Sequence, residues 1–101
     1  MDWNIVKDWL ERHGHIRPDW ETIEISDDGI YCSDTMENTI ISIFTKVSME
    51  LVVFVGTIKP KVSVGGNTGI YIQSIYDVID YLSDIMTDLY ESLEKKWQEE
   101  K

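Results

Sequence analysis

The sequence predicts an α+β fold: a short N-terminal helix, a three- to four-stranded antiparallel sheet, and a long amphipathic C-terminal helix packed on one sheet face. Three observations lead there. Residues 70–101 carry Ile75, Val78, Ile79, Leu82, Ile85, Met86, Leu89, Leu93 and Trp97 at helical spacing. Residues 20–58 are rich in β-branched side chains and are punctuated by turn residues, as hairpins are. At 101 residues, with no repeat, linker or low-complexity tract, the chain reads as a single domain, 1–101, able to bury a real core.

The elements follow in chain order. Asp2 is placed to cap a helix from Trp3 to about His13, with Trp3, Val6 and Leu10 on one side and Ile5 and Trp9 beside them. Gly14 is its expected stop, and Arg12 and His13 suit the negative end. Pro18 forces an extended or turning connection. Trp20 to Ser26 reads as a strand with Ile23 and Ile25 on one face. Asp27-Asp28-Gly29 predicts a type I′ hairpin turn, because Asp-Gly tolerates the positive φ that such a turn needs. Ile30 to Ser33 returns, and Asp34 to Asn38 is the next turn. Thr39 to Thr45 and Met49 to Ile58 are the expected central strands, joined near Lys46 to Ser48. The second has almost no polar alternation, which places it centrally or under cover on both faces. Pro60 ends it, and Val62-Ser63-Val64 is a further short strand. Gly65-Gly66-Asn67-Thr68-Gly69 lacks the Lys-Ser/Thr ending of a phosphate loop and reads as a flexible connection or a contact loop.

The last helix has two faces that differ sharply. Ser74 and Asp77 form a capping-box pattern at its start, and Lys95, Lys96 and Lys101 complement its far end. Away from the apolar stripe, Asp77, Asp80, Asp84, Asp88 and Glu91 fall within an arc of roughly 80° at about 100° per residue. Asp77 has a capping role and Asp80 gains from the helix dipole, but Asp84, Asp88 and Glu91 have no such local reason. Asp80/Asp84 and Asp84/Asp88 are like charges at i,i+4, each costing roughly 0.2–0.5 kcal/mol, with no basic residue between Lys61 and Lys95. The row spans about 21 Å, one charge per about 5 Å, comparable with the one per about 3.4 Å of a DNA strand. A basic surface built for nucleic acid can accept such a face. Tyr81, beside the row, is a candidate interface anchor, since aromatics next to charge are favoured at protein contacts.

Charge narrows the function classes. A net charge of −10 argues against direct binding to nucleic acid or to an anionic membrane. The imbalance sits in two acid-only blocks: residues 62–94, which hold most of the last helix, and residues 18–45, where Glu21, Glu24, Asp27, Asp28, Asp34 and Glu37 offer a second acidic patch. The single cysteine, Cys32, excludes an internal disulfide and reads as a buried, inert strand thiol. No signal-peptide pattern opens the sequence and no apolar run approaches about 18 residues, so a soluble cytoplasmic protein is expected. No catalytic constellation is present, and neither a cofactor nor a metal is expected. His13-Gly14-His15 has no third ligand marked nearby, and the acids of residues 27–37 lack the spacing and terminal Glu of a Ca²⁺ loop.

In size, acidity and mixed helix–sheet order, the whole chain resembles small phage-encoded inhibitors, including anti-CRISPR proteins and other DNA mimics, without carrying a family motif. The resemblance implies a protein partner with a basic nucleic-acid-binding surface, such as a Cas effector or another nuclease, met in the host cytoplasm. An immunity protein against a basic toxin has the same electrostatics. A different class is a self-associating structural or regulatory subunit: Ile75, Ile79, Leu82, Met86, Leu89 and Leu93 follow a nearly heptad rhythm, so a helix overhanging the sheet from Leu89 to Trp97 would pair with a second copy as a homodimer.

Overall fold

A computed structural model describes residues 1–100. Helix α1 (Asn4–Arg12) is followed by strands β1 (Thr22–Ile25), β2 (Gly29–Asp34), β3 (Thr39–Thr45), β4 (Glu50–Thr57) and β5 (Val62–Tyr71), and by helix α2 (Ile75–Glu100). The strands form one antiparallel meander in the order β1-β2-β3-β4-β5. The α+β class and the element order agree with expectation; the strand count is five instead of three to four.

The extra strand length comes from the glycine-rich stretch. Gly65 pairs with Phe54, Gly66 with Val53 and Asn67 with Val52, so residues 65–69 are strand rather than connection. Gly65, Gly66 and Gly69 have φ of 111°, 141° and 74°, values that strand-forming side chains do not tolerate. Glycine therefore lets this edge strand bend without leaving the sheet, and a register irregularity between Glu50 and Val52 absorbs the bend.

The pleat sorts the side chains. Ile23, Cys32, Ile41, Val55 and Val64 lie across the five strands on one face, as do Ile30, Ile43 and Val53, and both helices join this face in one core. From α2 that core takes Ile75, Val78, Leu82, Met86 and Leu93 as buried residues, with Ile79, Leu89 and Trp97 partly buried beside them. Each fully buried one contributes roughly 1.5–3 kcal/mol before entropy. Helix α1 supplies Val6, Trp9 and Leu10, and Trp3, its N-cap residue, is buried with them and donates its indole N–H to the Asp27 carbonyl at 3.2 Å, which fixes the helix start beside the β1–β2 turn.

Several local expectations are revised. Neither Asp27, Asp28 nor Gly29 has positive φ, so the first hairpin turn is not type I′. Gly29 is required instead because a Cβ there would lie 2.3 Å from the Ile43 carbonyl and 2.5 Å from the Phe44 Cβ. Half of the α2 capping box forms: the Asp77 carboxylate accepts from the N–H groups of Gln73 at 2.7 Å and Ser74 at 3.1 Å. The Asp77 N–H, however, goes to the Ser74 carbonyl at 3.1 Å rather than to its hydroxyl. At the other end α2 runs on to Glu100 with no basic residue in its last turn, and Lys96 donates to the Ser63 carbonyl at 3.0 Å. Lys101 lies outside the described residues. Since Trp97 packs against the core, α2 does not overhang the sheet there, which removes that particular ground for pairing of the helix with a second copy. No helix among the described residues is long and apolar enough to cross a membrane.

Candidate functional site

The acidic row is real as a ridge. Asp80, Asp84, Asp88 and Glu91 are all exposed on the outward side of α2, while Asp77 is half-buried and engaged in the cap. The ion pairs among the described residues are Lys7–Glu11, Arg17–Asp19, Arg17–Glu37 and Lys46–Glu50, so no lysine or arginine neutralises the ridge within the fold. The helix holds this arrangement because its opposite stripe is anchored in the core, so the carboxylates cannot turn away without pulling Leu82 and Met86 into water.

That arrangement has a cost to the fold, which leads to a stability prediction. Asp84→Asn with Asp88→Asn removes the like-charge contacts 80/84, 84/88 and 88/91 while leaving the dipole-favoured Asp80 in place. At about 0.2–0.5 kcal/mol per pair, the double variant should be more stable by roughly 0.6–1.5 kcal/mol at low ionic strength. The gain should vanish in about 1 M salt, where screening acts over about 3 Å. Thermal melts at both ionic strengths check this, and a less stable double variant would mean that the acids are compensated within the chain.

Residues 18–45 do not assemble a second face. Asp27 and Asp28 lie at one end of the β1–β2 hairpin, whereas Glu21 and Glu37 lie at the other. Glu21 accepts from the Thr35 hydroxyl and Glu37 is paired with Arg17 at 2.9 Å. Glu24 is exposed midway along the edge strand β1, on the sheet face opposite the helices. Asp34, at the end of β2, is 4% exposed and cannot contribute to an outer patch. β1 and β5 lie at opposite edges and α2 packs over β4 and β5; Glu37, which lines a depression together with Tyr90 of α2, has its charge met by Arg17.

Beside the ridge lies an aromatic depression that sequence reasoning reached only in part. Ile70 and Tyr71 at the end of β5 and Gln73 in the link that follows face Asp77, Asp80, Tyr81 and Asp84 of α2 across it. Tyr81 is half-buried and packed against the core, whereas Tyr71 is 64% exposed. No local pattern marks Tyr71 in the sequence, because it ends a glycine-rich strand whose pleat only the pairing with β4 reveals.

The histidines form a second, separate cluster. The Trp9 ring stacks on His13 at 4.3 Å and on His15 at 5.3 Å between centroids, and the Tyr90 hydroxyl lies 3.0 Å from His15 Nδ1. No group of three metal-ligating side chains gathers among the described residues. Burial, helped by neighbouring His13, lowers the His15 pKa below its usual 6.5, and burial pushes the Tyr90 phenol up to about 12. The Tyr90 hydroxyl and a neutral His15 imidazole therefore share this hydrogen bond. Because the folded state holds the His15 proton less tightly than the unfolded chain, the contribution is complete above about 6.5 and is lost as pH falls below it. The stability advantage of wild type over His15→Gln should shrink between about pH 7.5 and pH 5.5. Melting curves of both proteins across that window check it; a constant difference would contradict it.

Cys32 is fully buried, and burial pushes its thiol up to about 12, so no thiolate is available there as a nucleophile at neutral pH. Compared with protein-family models, with curated proteins and with solved structures, the chain has no match.

Proposed function

We infer that this protein is a protein-binding inhibitor whose α2 ridge occupies the basic nucleic-acid-binding surface of a partner, a nuclease or another protein that handles nucleic acid. The observation that carries the reading is the exposed row Asp80, Asp84, Asp88 and Glu91, without an ion pair among the described residues and held outward by a buried apolar stripe. Lys and Arg side chains that hold phosphates are drawn to such a row from a distance, so association is fast and falls with salt. The spacing of charge along the helix, about 5 Å, suits a surface shaped for a phosphate backbone better than one shaped for a single acidic contact.

The test uses the immobilised protein and a lysate rich in nucleic-acid-binding proteins. Proteins retained by wild type should be displaced by added duplex DNA and should be enriched in basic nucleic-acid binders. A retained set that ignores the duplex competitor would overturn the reading.

A further inference from the structure

The depression beside the ridge carries more chemical detail than the ridge itself. Tyr71 stands 64% exposed and Ile70 36% exposed on the last residues of β5, and both line the depression. Across the depression, Tyr81 follows Asp77 by four residues and precedes Asp84 by three, so both carboxylates flank its ring on the helix surface. On the strand side, Tyr71 pairs with Glu50, which accepts from the Gly69 N–H at 3.3 Å and meets Lys46 at 3.9 Å. Asp77 is committed to the helix cap; Asp80 and Asp84 have no cationic partner among the described residues.

Aromatic faces and free carboxylates define the occupant by complementarity. An apolar side chain would bury the carboxylate rim unpaired, which is costly. A lysine would satisfy the charge but remains strongly hydrated and has no plane to lay against a ring. We propose that the depression receives an arginine side chain from the partner protein, its guanidinium plane against Tyr71 and its N–H groups on Asp80 and Asp84. This rests on the reading of the ridge as a docking edge, and gives the two parts different tasks: the ridge steers the partner, and the Tyr71 pocket holds it.

The experiment measures binding of two labelled probes, a nine-residue arginine peptide and a nine-residue lysine peptide, to the intact protein by fluorescence anisotropy at physiological salt. Wild type should bind the arginine peptide about fivefold tighter than the lysine peptide. Tyr71→Ala should weaken the arginine peptide more than the lysine peptide and so erase that preference, and Tyr71→Phe, which keeps the ring, should retain it. Equal affinities in wild type, or a preference that survives Tyr71→Ala, overturns the arginine pocket. If both peptides still bind equally and lose affinity with salt, the acidic-ridge reading stands while the pocket falls; if neither peptide binds, both fall.

Discussion

Leu82→Ala should cost about 3–5 kcal/mol, the largest loss expected from any single truncation on α2. Leu82 is 0% exposed and sits midway along the stripe that joins the helix to the sheet. Removing its branched end forfeits both the transfer energy of the missing methyl groups and the packing contacts of the walls left behind, and a helix held by neighbours at Val78 and Met86 cannot collapse into the space. Against a total stability of about 5–15 kcal/mol, this leaves the protein near its folding threshold. Denaturant unfolding should show a lower midpoint with an unchanged slope. A loss below about 1 kcal/mol would mean that the α2 contact is not the main anchor of the fold.

Gly65→Ala should be nearly as damaging, for a reason that does not involve the core. A Cβ at Gly65 would lie 2.0 Å from the Val53 carbonyl oxygen, a backbone atom of the central strand pair that no rotamer change can move. The residue also has φ of 111°, so the substitution adds backbone strain of about 1–3 kcal/mol to the clash. A total loss of about 3 kcal/mol or more is expected. Gly66 provides the control: its φ is 141° but a Cβ there meets nothing within 4 Å, so Gly66→Ala should show the strain alone. The difference between the two variants in thermal melts isolates the clash, and equal losses would contradict the tight packing of β5 on β4.

Much of this architecture was legible in the residues. The stripe from Ile75 to Trp97 is long enough for its 3.6-residue period to leave no rival reading, and its buried members are among those the spacing selects. The opposite face is legible for the same reason, since fixing the stripe fixes where Asp80, Asp84, Asp88 and Glu91 point. The glycine-rich residues 65–69 were not legible. Three glycines in five residues carry no side-chain pattern, so only the pairing of β5 with β4 reveals a strand there. Gly29 shows the converse. Its place at a turn was evident, but the requirement comes from Phe44 on the neighbouring strand, which a local motif cannot encode.

The grouping of the other acids was equally invisible, because it depends on which ends of hairpins lie together. Asp34 looks like a turn residue in the sequence and is a buried strand residue in the fold, and Glu37 is drawn to Arg17, twenty positions earlier in the chain. The proposed docking edge is consequently the one acidic surface whose geometry a single helix dictates, together with the exposed Tyr71 at its margin.

The ridge is retained at a cost to helix stability, which is understandable if the same carboxylates meet cations on a partner. For a partner captured through this protein, the most direct measurement is its affinity as a function of salt for wild type and for the combined variant Asp80→Asn, Asp84→Asn, Asp88→Asn, Glu91→Gln. At about 0.5 kcal/mol per lost charge pair, the variant should bind roughly thirtyfold more weakly at low salt and lose most of its salt dependence. Unchanged affinity with an unchanged salt slope would show that the partner does not touch the ridge.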